Sequence, residues 1–156
     1  MAESKYEKYV CRNPLRPHEY YREHLAKSET MPPMVFSNGN NPIEGSNQFI
    51  EALWVWSDCI IGADPKEPHL HPHSHTFDEM FLWLGSNPED PSDLGAEVEF
   101  WLGDEGEKRD KVTFDTSTLI FVPAGLRHLP IVYKRVKRPL MHMAIGINSG
   151  EYKMLN

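Results

Sequence analysis

The sequence is short of cysteine, of basic charge and of long apolar runs. Cys11 and Cys59 are the only cysteines among 156 residues, too few for the disulfide framework of a small secreted domain. Cys59 lies in an apolar run, so a reduced, buried thiol is expected there. Lys plus Arg number 16 against 23 Asp plus Glu, a net charge of −7. That balance argues against general phosphate-backbone binding, which needs a basic face, and no nucleic-acid partner is expected. The longest uncharged, mainly apolar stretch, Thr116–Leu126, falls well short of the roughly 18 residues of a membrane span. No membrane partner is expected. Met1–Lys8 is charged where a secretory signal would begin its apolar region, so a cytoplasmic location is expected.

What is present suits one domain. Apolar residues make up 40%, enough to build a core. Thirteen prolines are about 8% of the chain against a usual ~5%, and they leave little room for sustained helical periodicity. Residues 1–47 read as an N-terminal arm and loop. Pro17 followed by HEYYREHLAK could open a short helix, and the Asn- and Gly-rich stretch 35–47 reads as loop. From Gln48 onward short strands take over: 48–56, 59–61, 79–84, 96–102, 112–114, 118–122, 127–133 and 140–147. Ala96–Leu102 alternates cleanly, with Glu97 and Glu99 on the face opposite Val98 and Phe100. Strands at this spacing, broken by turn signals, predict an all-β sandwich or barrel over 48–148, with 149–156 as a tail.

Four of the eight histidines, His69, His71, His73 and His75, crowd into seven residues. In an extended chain His73 and His75 point to the same side, ~6.6 Å apart, a spacing at which two imidazoles can converge on one ion. Glu79 shares their parity and can face the same interior. A fourth ligand is required from elsewhere, and His128 is the candidate, because the turn Pro123-Ala124-Gly125 can deliver it onto a neighbouring strand. His69 and His71 read as part of a proline-rich approach loop. His142 shares parity with Leu140 and Ala144 and is either a pocket hydrogen-bonding group or a core histidine.

His73-x-His75-x-x-x-Glu79 resembles the first motif of the cupins, and Pro123-x-Gly125-x-x-His128 resembles the second. The stretches 77–85 and 96–103 are also similar to those of small single-domain bacterial cupins. The resemblance implies a single jelly-roll barrel (a double-stranded β-helix) holding one divalent metal ion per chain, iron, manganese, nickel or zinc, on His73, His75, Glu79 and His128. The sequence departs from the motifs at framing positions. Glu67 and Ser117 stand where glycines are expected, Gly85 comes one residue early, and Val132 replaces an asparagine.

Parity then suggests a pocket. Phe81 and Trp83 follow Glu79 inward, Pro130 and Val132 follow His128, and Phe100 and Val98 face away from the glutamates of their strand. Together with His142 they would line a site for a small-molecule ligand. Three imidazoles and one carboxylate leave exchangeable positions on a divalent ion. Such a centre suits a dioxygenase-, decarboxylase- or isomerase-like enzyme acting on a small oxygenated or aromatic molecule, or alternatively a non-catalytic binding or sensor module. A homodimer is expected, formed by pairing of an open sheet edge.

Overall fold

The computed structural model describes residues 5–12, 15–16, 34–38, 43–62, 71–103, 109–149 and 154–155. Among them there is no α-helix, only a 3₁₀ turn at Glu7–Tyr9. The helix expected after Pro17 lies outside the described residues, as do His18, His24 and His69. No helix of the described residues is long and apolar enough to cross a membrane.

The strands are β1 (Leu15–Arg16), β2 (Met34–Asn38), β3 (Gln48–Val55), β4 (Cys59–Ile61), β5 (Ser74–His75), β6 (Glu79–Gly85), β7 (Asp93–Leu102), β8 (Asp110–Thr116), β9 (Thr118–Val122), β10 (His128–Lys134), β11 (Leu140–Ile147) and β12 (Met154–Leu155). They form a six-stranded sheet in the order β1-β2-β3-β11-β6-β9 and a four-stranded sheet in the order β4-β10-β7-β8. Every pairing is antiparallel. Consecutive strands cross from one sheet to the other, β3 to β4, β6 to β7, β8 to β9 and β10 to β11, which is the jelly-roll arrangement. The eight expected strands are all present.

Three elements differ from expectation. The stretch 35–47, expected as loop, begins with β2, which pairs with β3 from Val35↔Ala52 to Asn38↔Phe49. Its Met-Val-Phe start suits a strand, and the neighbouring edge decides the matter where local propensity is weak. Two-residue β5 pairs with two-residue β12, Met154 opposite His75, so the tail returns to the histidine-rich segment. On β10 the register slips by one residue between His128 and Ile131, with Leu129 at φ +79°. Pro130, which has no N–H to donate, sits at this bulge.

The core lies between the two sheets. β6 turns Glu79, Phe81 and Trp83 inward, and β11 turns Leu140, His142, Ala144 and Gly146 inward. Leu53, Val55, Val98, Phe100, Ile131 and Tyr133 meet them from the other strands, none more than 1% exposed. Three buried polar groups in this core form a directed chain. The Trp83 indole N–H donates to the Tyr133 hydroxyl at 3.0 Å. That hydroxyl lies 2.9 Å from His142 Nδ1. An indole can only donate, so the hydroxyl oxygen accepts from it, and His142 Nδ1 is the one acceptor in reach of the hydroxyl proton among the described residues. His142 therefore carries its ring proton on Nε2, which is buried without a hydrogen-bond partner among the described residues. The imidazole stacks on Trp83 at 5.2 Å and on Phe81 at 5.9 Å. Burial holds its pKa down to about 3 from the usual 6.5 and raises that of Tyr133.

Two outcomes follow from this chain. Tyr133→Phe keeps the packing but strips partners from two buried groups, so it should lower unfolding free energy by about 1–3 kcal/mol in urea titration, with the fold unchanged. Below pH ~6.5 the unfolded chain takes up a proton that folded His142 refuses. Stability should therefore fall as pH drops from ~6.5 towards 3, by about 1.4 kcal/mol per pH unit for this residue. His142→Phe should reduce the pH slope of the urea midpoint by one proton's worth; an unchanged slope would contradict the assignment.

Candidate metal centre

β5, the residues that flank it on either side, β6 and β10 supply the residues of interest. His73 and His128 form an isolated antiparallel bridge, each amide bonded to the other's carbonyl, at 3.2 and 2.9 Å. The Pro123–Leu126 turn secures the approach. Leu126 N–H closes it on Pro123 O, and Gly125 supplies the positive φ of +84° that such a turn requires. The same turn is tied to the first motif. Gly125 N–H donates to His75 O at 2.8 Å, and Ala124 N–H to Asp78 Oδ1 at 2.9 Å. The spacing from proline to histidine is thus the length of one turn plus the step onto β10.

These contacts gather three buried imidazoles. One ring nitrogen from each of His73, His75 and His128 lies within 4.8 Å of the others. Glu79 joins through two of them: its Oε2 is 3.4 Å from His75 Nε2 and 3.2 Å from His128 Nε2. That oxygen is buried and makes no hydrogen bond of acceptable geometry. Neighbouring ligands on an ion with ~2.1 Å bonds sit ~3.0–3.4 Å apart, so the two Glu79 distances match ligands of one ion.

Tautomers support the same use. His73 Nδ1 is 2.7 Å from His71 O, and His128 Nδ1 is 3.2 Å from Leu126 O. A carbonyl only accepts, so each Nδ1 carries the proton and each Nε2 presents a lone pair. Burial, then the nearby His128, hold the His73 pKa down to about 3, leaving a neutral ring of the kind metals bind. The donor set therefore fits a divalent cation.

The aromatic residues pack beneath and beside this group. Phe77 stacks on His75 with centroids 4.7 Å apart and planes 11° apart. Phe81 meets His128 at 5.3 Å and Phe100 at 4.9 Å. Trp83 and His142 lie deeper, on the far side of Phe81 from the triad. Val98 is fully buried. Trp54 and Trp56 share a face, but it is the outer one, where they are exposed. His71 contributes its carbonyl and lies outside the group of convergent rings.

Pro130 and Val132 do not follow His128 inward. The extra residue of the β10 bulge reverses parity, so Ile131 and Tyr133 are the buried positions and Val132 sits opposite Glu99 on the outer face. Phe77 is absent from the lining that strand parity suggests, although it shares the odd parity of His75 and Glu79. Gly146 is a second residue that the sequence motifs do not mark. Opposite Glu79 on β11, it leaves room for Phe77; a Cβ there would come within 2.4 Å of the Phe77 ring. Two of the framing positions, Ser117 and Gly85, have local explanations, and Glu67 lies outside the described residues. Ser117 Oγ accepts from Gly85 N–H and donates to Pro91 O, and Gly85 is required because a Cβ would strike Asp93 O at 2.2 Å.

No protein-family profile matches the sequence, and no curated protein matches it. Among solved structures the similarity is one of fold. The chain superposes on oxalate oxidase with a TM-score of 0.50 and 14% identity, covering 78% of this chain and 53% of that one. It superposes on the vicilin of Corylus avellana (hazelnut) with a TM-score of 0.51 and 11% identity, covering 81% of this chain and 31% of that one. The vicilin of Solanum melongena gives 0.51 and 5% identity over 81% and 29%. The chain thus spans about half of the oxalate oxidase chain and under a third of either vicilin. Sheet order and these superpositions agree on the fold: the described residues form a single antiparallel jelly-roll barrel of the kind those proteins contain.

Proposed function

We propose that the protein holds one divalent metal ion on His73, His75, His128 and Glu79 and acts as a metal-dependent enzyme on a small oxygenated or aromatic molecule, in the manner of a dioxygenase, decarboxylase or isomerase. The observation that carries this reading is the convergence of three buried imidazoles and a buried carboxylate, with the proton of His73 and of His128 held on the nitrogen that faces away. Three neutral rings and one carboxylate leave a net +1 on a divalent ion. Bound there, such an ion supplies a Lewis-acidic face for a chelating oxygen pair and, if iron or manganese, redox chemistry as well.

The chain's own residues divide the remaining work. The carbonyls of His71 and Leu126 fix two ring planes. Phe77 holds the plane of His75 by stacking. Phe81 and Phe100 close the interior side with hydrocarbon, which keeps bulk water from that side and raises the electrostatic influence of every charge at the centre. The absence of cysteine from the cluster separates it from the closed, cysteine-bearing type of structural zinc site.

Metal analysis of the purified chain should give about one divalent ion per chain, and the double variant His73→Ala/His75→Ala should lose it. Full occupancy in that variant would overturn the ligand assignment. Glu79→Gln, which keeps the shape and removes the charge, should weaken metal affinity at least tenfold. Gly146→Ala should press Phe77 towards His75 and lower affinity by about tenfold while leaving the circular dichroism spectrum unchanged. Function is tested with the Co(II)- or Fe(II)-loaded protein. Small diketones, hydroxy acids and catechol-like compounds should perturb its spectrum, and some should be turned over. Ligand binding without turnover across iron, manganese, nickel and zinc would make the protein a binding module. A metal spectrum that no added compound perturbs would leave a structural role.

A further inference from the structure

The two sheets differ in what they present to the outside: the four-stranded sheet exposes Ile60 at its β4 edge but is otherwise ion-paired at its centre. On the four-stranded sheet Glu99 binds Lys111 at 2.9 Å and Lys134 at 2.7 Å, and Glu97 pairs with Arg135. This is how a solvated sheet face looks. The outward positions of β3, β6, β9 and β11 on the other sheet carry no charged residue at all. Two registered rows cross it: Ala52–Met143–Leu82–Leu119 and Ile50–Ile145–Met80–Phe121. Several of its large side chains stand in the open. Leu119 is 57% exposed, Phe121 53%, Ile147 45%, Leu84 41% and Trp54 37%, with Trp56 at the strand's end 48%.

At ~200 Å² for each fully exposed large side chain, these six leave on the order of 500–600 Å² of apolar surface, the upper end of what a lone soluble domain tolerates. The half-buried methionines, leucine and isoleucines between them extend the patch towards the ~800 Å² that each partner contributes to a stable interface.

We propose that this face is a homodimer interface, in which two copies of the chain pack the outer sides of their six-stranded sheets together. Charge selects the second copy as occupant. A chain of net charge −7 repels itself unless the approaching surfaces are neutral, and this face is. The ion-paired face lies on the far side of each barrel, beyond the ~8 Å screening length at physiological salt. An uncharged face also offers nothing by which to select a charged partner, whereas a two-fold axis lets the same apolar rows serve both sides. Two twisted sheets packed face to face at ~10 Å, within ~30° of parallel, are a common solution for such surfaces. The mode differs from the edge pairing that an open strand suggests, because it uses side chains and leaves backbone edges untouched.

Sedimentation velocity and light scattering on the full chain test this. The expected mass is twice the 18.0 kDa of one chain, and 1 M sodium chloride should not dissociate it, since no ion pair is involved. Leu119→Glu/Phe121→Glu places its charges on both copies and should weaken dimerisation at least 100-fold, as should Trp54→Glu. Lys111→Glu, on the other sheet, should change nothing. A wild-type chain that stays monomeric up to about 1 mM overturns the proposal, whether residues 17–33 or another protein then cover the face. So does a full-strength dimer in the folded double variant. Should the variants fail to fold, dilution of the wild type decides. Acrylamide quenching of tryptophan fluorescence should rise as the dimer dissociates and frees Trp54 and Trp56; dissociation with unchanged quenching places the interface elsewhere.

Discussion

The antiparallel bridge between His73 and His128 is the constraint on which the candidate centre depends. Two reciprocal backbone hydrogen bonds hold residues 55 positions apart with their side chains on one face. Once they are paired, the Gly125–His75 and Ala124–Asp78 bonds leave the first motif little freedom relative to the second. The geometry of the rings is therefore set by main chain, which loses less conformational freedom than long side chains would. Glu79 enters by a different route, as the first residue of β6, in register with Gly146 and Val122. Precision at the centre is then a property of the jelly roll, because both sheets and the turn between β9 and β10 must be correctly docked before the four donors meet.

Gathering such groups inside a barrel is costly. A buried polar atom left without a partner costs about 1–3 kcal/mol, and a charged imidazole in the same place would cost more. The structure manages part of this by neutrality. His73 and His142 both have pKa values held down to about 3, so neither carries charge in neutral solution. The aromatic packing supplies compensation. Phe77, Phe81, Phe100 and Trp83 are all at most 7% exposed, and burying each such ring stabilises the fold by roughly 2–3 kcal/mol. Acid sensitivity is the unavoidable counterpart, because protons return to these rings preferentially in the unfolded chain.

Much of this was legible in the sequence where local pattern and tertiary environment agree. Ala96–Leu102 alternates because one side faces Trp83 and Phe114 and the other faces Lys111 and Lys134. Proline density announced strands and turns, and parity placed His73, His75 and Glu79 together. Parity failed on β10, where a single bulge inverts the strand: Val132 is predicted inward and Ile131 found there. Nothing in HLPIVYK states the register; the bulge exists in relation to Leu102 and Phe100 across the sheet. β2 was illegible for a similar reason, since its strand state is lent by the edge of β3. For His142 the sequence allows two readings, a pocket hydrogen-bonding group or a core histidine. The structure gives it features of both, one nitrogen bonded within the core and the other without a hydrogen-bond partner among the described residues.

The least expected information lay in strands that do not alternate. EMFLWL on β6 and LMHMAI on β11 are apolar at both parities, apart from Glu79 and His142, and such strands are ordinarily covered on both faces. The outer rows through Met80, Leu82, Met143 and Ile145 lie directly behind the residues that face Glu79, Phe81 and Trp83. A cover on that side would bear on the candidate centre without touching it. The strand that carries Glu79 would be held between two packed layers, and its carboxylate could drift only if the whole layer moved. Ligand sites tolerate errors of about half an ångström. A sheet packed on one face alone is the weaker way to meet that tolerance, and the same apolar residues that make the outer face adhesive are those best able to stiffen β6.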